Sequence, residues 1–350
     1  MSQPDFSPSA ERNKQPILDV LRQVLPERGT ALEIASGTGQ HVEWFAQQLP
    51  LWTWQPTEVH RGALYNIEVR VTQAGLDNVL DPMQLDVRSE PWFADAAGQP
   101  AFDLIFCANM LHIAPWEAGL ALLRGSARHL APSGKLVTYG PYFENEVLPA
   151  PSNVAFDQSL REHDPSWGIR LREEVEQAAA HAADGYARLT RGPGVAIVTA
   201  GPGVTDAVTG VANAYQAQVP LVLLGGAAEI RSAGRGALQE MEQLPLFRSI
   251  TKWCATATDP RRLREYVQTA IRQATSGTPG PVFLELPFDV LTAQVEDAVV
   301  PPPLPVLPHS MADPADVARV AQLLLAASKP VIFAGSQIWW EDATAELRAL

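Results

Sequence analysis

The sequence predicts an α/β protein made of two doubly wound parallel-sheet units that follow one another along the chain. Short apolar runs alternate with amphipathic helical stretches in both halves, which is typical of parallel sheets covered by helices. A glycine-containing turn follows one apolar run in each half, at residues 36–39 and 201–203. A length of 350 residues is enough for two domains of ordinary size.

The first unit is predicted over residues 1–172 and opens with a helix. Ser9 is the predicted cap of this helix, and Ile17, Leu18 and Leu21 lie on its apolar face. The strands that follow are predicted at residues 31–35, 53–55, 83–85, 104–107 and 135–139, with helices between them, as at residues 119–129.

The second unit, predicted over residues 173–298, repeats this alternation. It begins with a helix at residues 173–190, and its strands are predicted at residues 195–200, 220–224 and 282–286. The run PPPLPVLP within a linker at residues 299–312 is stiff and extended. A helix at residues 314–327 and a strand at residues 331–334 then begin a further α/β unit over residues 313–350.

Composition and charge narrow the functions that the chain can have. A hydrophobic share of 46% and a charged share of 19% indicate a folded globular protein. The net charge of −13, without a cluster of basic residues, argues against nucleic acids and membranes and favours small-molecule substrates. Cys107 and Cys254 stand far apart, which excludes a disulfide scaffold. The scarcity of cysteine, together with the lack of a signal-peptide pattern, predicts a cytoplasmic protein.

Glycines, acids and an amide follow successive strands of the first unit. Gly37 and Gly39 form a turn after the first strand, and Glu58, Asp86 and Asn109 follow the next three. The carboxyl ends of parallel strands share one edge, where ligands bind. A third glycine of the dinucleotide-binding pattern is missing, which favours a nucleoside, with Glu58 on the ribose hydroxyls. The alternative is a tight turn with unrelated surface acids.

Several separate sequence segments of the first unit resemble those of one enzyme class. The stretches LEIASGTGQH, FDLIFCANMLHIAPWE and APSNVAFDQSLREHDPSWGIR are similar to class I S-adenosylmethionine-dependent methyltransferases, and more closely to a small methyltransferase-like family of unknown activity. The resemblance covers residues 9–170. It implies that Glu33, Gly37 and Gly39 shape a pocket for the methionine and ribose. It also implies that Glu58, where aspartate is more usual, binds the ribose, and that Asp86 lies near the adenine.

His112 is the best candidate for a general base in this unit, with Asn109 as the group that orients it. Methyl transfer is an in-line displacement on a methyl group that the sulfonium already activates, so a base is optional. The alternative is that His112 only packs in the core.

The second unit resembles another family. The words EQAAAHAADGYARLT, PGVAIVTAGPGVTDAVTGVANAYQAQVPLVLLGG and GALQEMEQLPLFRSITKW are similar to the pyrimidine-binding domain of thiamine-diphosphate enzymes of the acetolactate synthase and benzoylformate decarboxylase group. On spacing alone Glu176 is an ordinary helix glutamate. The resemblance implies that Glu176 bonds N1′ of the aminopyrimidine and promotes loss of the C2 proton. It also places Gly201, Pro202 and Gly203 in a loop near the cofactor and points Gln239 toward the reacting centre.

The second unit differs from the thiamine-diphosphate family at two expected positions. Each unit is also predicted to lack some of the elements of the family that it resembles. Val175 stands where histidine is usual, and Leu238 where phenylalanine is usual. The two family patterns coincide over residues 174–180, which predicts a junction inside one helix. No Gly-Asp-Gly motif with a following paired asparagine occurs, so the chain encodes no metal ligands for a Mg²⁺–diphosphate anchor. Because enzymes of that family usually bind the cofactor between two domains across a dimer interface, the resemblance implies a possible homodimer through this unit.

The sequence therefore predicts a fusion of an S-adenosylmethionine-binding module with a partial thiamine-diphosphate-dependent carboligase or decarboxylase. The alternative is a recombined or truncated product of the two families without catalysis.

Overall fold

The computed structural model describes residues 4–93, 101–145, 147–295 and 312–350. The chain divides into two compact units, Met1–Ala182 and Ala183–Leu350. Each is built from helices and parallel strands, which confirms the predicted α/β class. All but the last residue of the predicted linker at residues 299–312 lies outside the described residues.

The helices and strands of the first unit follow the predicted order. They are α1 (Pro8–Val24), β1 (Gly29–Ile34), α2 (Gln40–Gln48), β2 (Trp52–Glu58), α3 (Arg61–Ala74), β3 (Met83–Gln84), β4 (Phe102–Ala108), α4 (Trp116–His129), β5 (Leu130–Tyr139), β6 (Tyr142–Phe143), α5 (Pro151–His163) and β7 (Arg170–Leu171).

The first sheet has the strand order β3-β2-β1-β4-β5, and every pairing in it is parallel. β1 lies at the centre, with Ala31 opposite Trp54 of β2 and Leu104 of β4. The chain leaves β1 toward β2 on one side and later returns to β4 on the other. This reversal opens a crevice at the carboxyl end of β1, where ligands bind in open α/β sheets.

Alternation along β1 divides the core of this unit between the two faces of the sheet. Leu32 and Ile34 pack on one face with Leu122 of α4, whereas Ala31 packs on the other with Phe45 and Trp54. Each large apolar side chain buried in this way contributes about 1.5–3 kcal/mol. The packing fixes the register, because a shift by one residue would exchange the two faces.

The cap of α1 differs from the prediction. Ser7, not Ser9, is the capping residue, and its hydroxyl accepts a hydrogen bond from the N–H of Ala10 at 3.3 Å. Pro8 has no N–H and a fixed φ, so it occupies the first helical position and leaves the capping role to the residue before it. The hydroxyl of Ser9 lies 2.9 Å from that of Ser7.

One helix, α6 (Arg172–Thr190), contains the division between the two compact units, which falls after Ala182. The helix is continuous through this point. The predicted junction over residues 174–180 lies in the same helix.

The second unit continues with α7 (Pro202–Asp206), α8 (Val208–Gln216), α9 (Leu244–Phe247), α10 (Leu263–Thr275), α11 (Phe288–Thr292), α12 (Pro314–Ala326), α13 (Gln337–Trp340) and α14 (Thr344–Ala349). Its strands are β8 (Gly194–Val198), β9 (Leu221–Ala227), β10 (Trp253–Thr256) and β11 (Val282–Pro287), joined in parallel in the order β10-β11-β9-β8. Phe247 stacks on Phe283 of the central β11 with ring centroids 4.2 Å apart.

The prediction of a strand at residues 331–334 is wrong. These residues form neither helix nor strand, and Phe333 is 96% exposed. An apolar run becomes a strand only when a neighbouring strand takes up its main-chain hydrogen bonds, and no described strand pairs with it. Among the described helices, none is both long and apolar enough to span a bilayer.

Candidate functional site

The first group of candidate residues lies at the carboxyl edge of the first sheet, where Gly37 and Glu58 are in direct contact. The N–H of Gly37 donates to Oε2 of Glu58 at 2.9 Å, and the N–H of Val59 donates to Oε1 at 2.8 Å. Glu58 is buried at the end of β2. The predicted ribose-binding acid is thus held against the predicted glycine turn.

Three residues of this turn have left-handed backbone conformations, namely Ala35 (φ 55°), Gly37 (φ 57°) and Gly39 (φ 76°). A Cβ on Gly39 would lie 3.2 Å from the Cα of Ile67 in α3, whereas a Cβ on Gly37 would meet no atom within 4 Å. Gly39 therefore allows α2 and α3 to approach, and Gly37 leaves open space beside the turn. Sequence reasoning missed Ala35, because an alanine carries no signal for a positive φ.

Hydrogen bonds between Ser36 and Thr57 attach the turn to β2. The N–H of Ser36 donates to the carbonyl of Thr57 at 2.8 Å, and the N–H of Thr57 donates to the hydroxyl of Ser36 at 3.2 Å. The hydroxyl of Thr57 donates to the carbonyl of Glu33 at 2.8 Å. All three residues are buried, so the turn is fixed before any ligand arrives.

Glu33 lies within β1, directly below the turn, and is 1% exposed. Its Oε2 has no hydrogen-bond partner among the described residues. Burial raises the pKa of this carboxyl to about 8, opposed by the Ser36 hydroxyl and reinforced by the negative charge of Glu58.

Asp86 and Asn109 lie at the ends of two further strands. Asp86 follows β3 by two residues, and Arg88 donates to Oδ1 from Nε at 3.0 Å and to Oδ2 from Nη2 at 2.8 Å. These bonds hold the pKa of Asp86 below its usual range. Asn109 has a left-handed backbone (φ 63°), and its N–H donates to the carbonyl of Tyr139 at 2.7 Å. This conformation turns the chain away from the sheet after β4.

His112 is buried after β4, with its ring edge-on to that of Phe156 at 5.5 Å. Its Nδ1 has no partner among the described residues, and a Cβ on Gly140 would lie 3.3 Å from it. Burial, aided by the positive charge of Arg170, lowers the pKa of His112 to about 4. The imidazole is therefore uncharged at neutral pH, which is the form that can accept a proton.

Arg170, which sequence reasoning missed, holds the segment that carries His112. Its Nε donates to the carbonyl of Leu111 at 2.9 Å, and its Nη2 donates to those of Ala114 at 2.6 Å and Ser166 at 2.9 Å. The guanidinium fork ties together two stretches that are distant in sequence. No sequence pattern could have revealed this role, because its acceptors are main-chain carbonyls.

In the second unit the structure brings Gly201 and Gln239 together. Gly201 follows β8 with a left-handed backbone (φ 64°), and a Cβ on it would lie 2.9 Å from the Cβ of Gln239. Gln239 also has a positive φ, of 60°. Pro202 begins α7, and Gly203 is buried in the same turn.

A cavity of about 550 Å³ lies beside this loop, at the carboxyl ends of β8, β9 and β11. Gln239 lines it together with largely apolar residues that include Leu238 and Phe288. Both apolar side chains are exposed. The cavity could accept a mostly apolar group with few polar atoms.

Glu176 lies on α6 in the first compact unit and is half-buried. Its Oε1 is 3.6 Å from Nε of Arg172, and Nη1 of Arg172 is 2.8 Å from Oε1 of Glu144. The structure thus places Glu176 in a network with one cation and a second carboxylate. The roles assigned to Glu176 and to the other candidate residues stay predictions.

Two family models match the chain. The model described as "Protein of unknown function (DUF938)" matches residues 4–190, which is more than half of the chain. The model described as "Thiamine pyrophosphate enzyme, N-terminal TPP binding domain" matches residues 148–246. The two matches overlap across α6, and they support a chain that joins parts of two families.

Known proteins similar to the chain match one part of it. It is 48% identical over 143 residues to 2-hydroxyacyl-CoA lyase 2 of Mus musculus, covering 39% of this chain and 22% of that protein. It is 38% identical over 187 residues to the probable acetolactate synthase large subunit of Methanocaldococcus jannaschii, covering 52% and 32%. For the acetolactate synthase large subunit of Mycobacterium tuberculosis the identity is 40% over 185 residues, covering 52% and 34%. The chain spans about a third or less of the length of these relatives.

Proposed function

The chain belongs to the family described as "Protein of unknown function (DUF938)", whose model matches residues 4–190, so we propose its activity from the residues of the candidate site. We propose that the first unit binds S-adenosylmethionine and transfers its methyl group to a small molecule. The observation that carries this proposal is the contact between the Gly37 N–H and the buried carboxylate of Glu58 at the carboxyl edge of the sheet.

The residues present fit an adenosine-containing cofactor. Gly37 leaves open space beside the turn, and each oxygen of Glu58 keeps an acceptor position beyond the main-chain bond that it already accepts. Glu58 would accept the ribose hydroxyls. Glu33, with a buried oxygen that no described residue satisfies, would face the methionine part.

When bound, S-adenosylmethionine supplies an electrophilic methyl group, so the protein has to orient the acceptor and exclude water. His112 is uncharged and buried three residues after Asn109, and its Nδ1 could take a proton from the acceptor. Arg170 would act as a positioning residue, since it holds the main chain on both sides of His112.

Isothermal titration calorimetry of the full chain with S-adenosylmethionine tests the proposal. We expect binding in the micromolar range, lost in the Gly37→Val/Glu58→Ala double variant. Gly75→Val is the matched control, because Gly75 also has a positive φ (63°) and open space around its Cβ but lies at the far end of α3. No heat from the intact chain, or equal loss in the control, would contradict the proposal.

A second candidate function is favoured by the loop of the second unit and by the match to the thiamine pyrophosphate enzyme domain. We propose that this unit provides part of a thiamine-diphosphate site of an acetolactate synthase-like enzyme. The contact between Gly201 and Gln239 beside the 550 Å³ cavity supports this assignment. Thiamine diphosphate would supply carbanion chemistry, and Gln239 of this unit would orient the substrate. The resemblance alone assigns Glu176 the role of holding a proton at the aminopyrimidine.

Equilibrium dialysis with thiamine diphosphate and Mg²⁺ tests this second function. We expect weak binding that Gly201→Val abolishes. Gly277→Val should leave it unchanged, because Gly277 also has a positive φ but a Cβ there would meet no atom within 4 Å. Unchanged binding and turnover in Glu176→Gln would count against the role of that residue. Should neither cofactor bind, a catalytically inactive product of the two families is the better description.

A further inference from the structure

Two carboxyl groups lie at the candidate nucleoside site, and only one of them is held by main-chain donors. Both oxygens of Glu58 accept N–H groups, from Gly37 and Val59. Glu33 is 1% exposed, and its Oε2 has no partner among the described residues. A carboxylate with one buried oxygen that has lost water without gaining a donor is strongly disfavoured as an anion.

The groups around Glu33 make its ionised form still less favourable. From β2 the negative charge of Glu58 opposes a second negative charge on Glu33. Cys107, near the end of β4, is the other titratable group on which both acids act electrostatically. Burial raises the pKa of the Cys107 thiol to about 12, so it supplies no charge at neutral pH. The hydroxyl of Ser36 is the favourable neighbour. A negative charge on Glu33 is therefore unfavourable unless a ligand brings a positive charge to it.

We propose that the ligand of this site must bring a positive charge, and that Glu33 is uncharged in the empty site and gives its proton to solvent when that charge binds. One O–H bond of Glu33 breaks, one H⁺ enters the solvent, and no bond of the ligand changes. This inference rests on the proposed function and names its recognition chemistry, an ammonium or sulfonium group on the methionine part. An adenosine without a cation would leave the proton in place.

The proposal sets a proton count. With a pKa of about 8 for Glu33, a cationic ligand that fully ionises the carboxyl releases most of one proton at pH 7, where the ligand's own amino group is already protonated. An uncharged adenosine derivative releases none at this pH.

Titration calorimetry at pH 7 in phosphate and in Tris, whose ionisation enthalpies differ, measures this count on the full chain. The probes are S-adenosylhomocysteine, which carries an ammonium group, S-adenosylmethionine, and uncharged 5′-methylthioadenosine. We expect proton release with the two amino-acid ligands and none with methylthioadenosine. Glu33→Gln should abolish the release and weaken S-adenosylhomocysteine about 30-fold or more, with methylthioadenosine unaffected. Glu27→Gln, an exposed acid before β1, is the matched control.

Infrared difference spectra of the ligand-free wild type against Glu33→Gln provide a measurement independent of binding. We expect the carbonyl stretch of one protonated carboxyl group at pH 7, and its loss at pH 9. Absence of that band, or ligand binding without proton release, overturns the inference while the proposed function stands. If none of the three ligands binds, the proposed function is wrong and the inference falls with it.

Discussion

Three glycines of the first unit have left-handed backbones, and substitutions at them allow the effects of backbone strain, steric contact and ligand binding to be measured separately. Gly37, Gly39 and Gly75 have φ values of 57°, 76° and 63°. A Cβ at Gly39 would meet the Cα of Ile67 at 3.2 Å, whereas the other two positions are open. Replacing each glycine by alanine therefore adds the same strain at all three sites and a contact at one.

The expected losses of stability follow from the backbone angles and from these distances. A left-handed alanine costs about 1–2 kcal/mol, and the lower entropy of the unfolded chain returns about 0.4–1 kcal/mol. Gly37→Ala and Gly75→Ala should each lower the free energy of unfolding by about 1 kcal/mol. Gly39→Ala should lower it by about 2–4 kcal/mol, because overpacking against main-chain atoms adds about 1–3 kcal/mol.

Urea unfolding followed by circular dichroism measures the stabilities, and calorimetry with S-adenosylmethionine measures binding. We expect Gly37→Ala to weaken binding with little loss of stability, Gly75→Ala to leave binding intact, and Gly39→Ala to destabilise the fold most. If Gly39→Ala is no less stable than the other two variants, the contact with Ile67 does not act as described. If Gly37→Ala binds like wild type, the open space beside Gly37 is not part of the site.

Three further predictions concern other parts of the two units. Arg170→Met should lower the free energy of unfolding by about 1.5–3 kcal/mol, because a charged donor to three carbonyls is lost; a urea midpoint equal to that of wild type would refute this. Burial, aided by the charge of Lys14, lowers the pKa of His41 from 6.5 to about 4, so its contribution to stability is present above pH 6.5 and lost as the pH falls through 4. His41→Phe should flatten this acid limb by up to about 1.4 kcal/mol per pH unit in unfolding experiments, and an unchanged slope would speak against it. Gly201→Ala should cost about 1–3 kcal/mol more than Gly277→Ala, since only the former meets a neighbour, the Cβ of Gln239; thermal melts of equal midpoint would count against this contact.

The elements that sequence reasoning placed correctly are those with a strong local pattern. The strand at β4 could be predicted because its unbroken apolar run at residues 104–108, followed by a turn, suits a strand buried on both faces. The strand expected at residues 331–334 has a similar apolar pattern, but no strand within the described parts of the chain pairs with it. Local pattern shows that a segment can form a strand, and only the rest of the fold supplies its partner.

The candidate site shows the same division. Gly37 and Glu58 could be placed together, because a parallel sheet brings the ends of its strands to one edge whatever the details of packing. Ala35 and Arg170 could not, since the first depends on a backbone angle and the second on main-chain carbonyls, which every residue carries. The cap at Ser7 was missed for a smaller reason, the pyrrolidine ring of Pro8.

By itself, the sequence determined that this chain joins pieces of two α/β families, each with a glycine turn behind a buried strand. Those features depend on the order of residues within short segments, so they can be recognised without knowledge of the packing. Only the tertiary structure decided that Glu33 and Glu58, on separate strands, share one buried edge and that Oε2 of Glu33 has no partner among the described residues. Charge states follow from which groups are brought together and from how much water is removed, and both quantities exist only once the chain has folded.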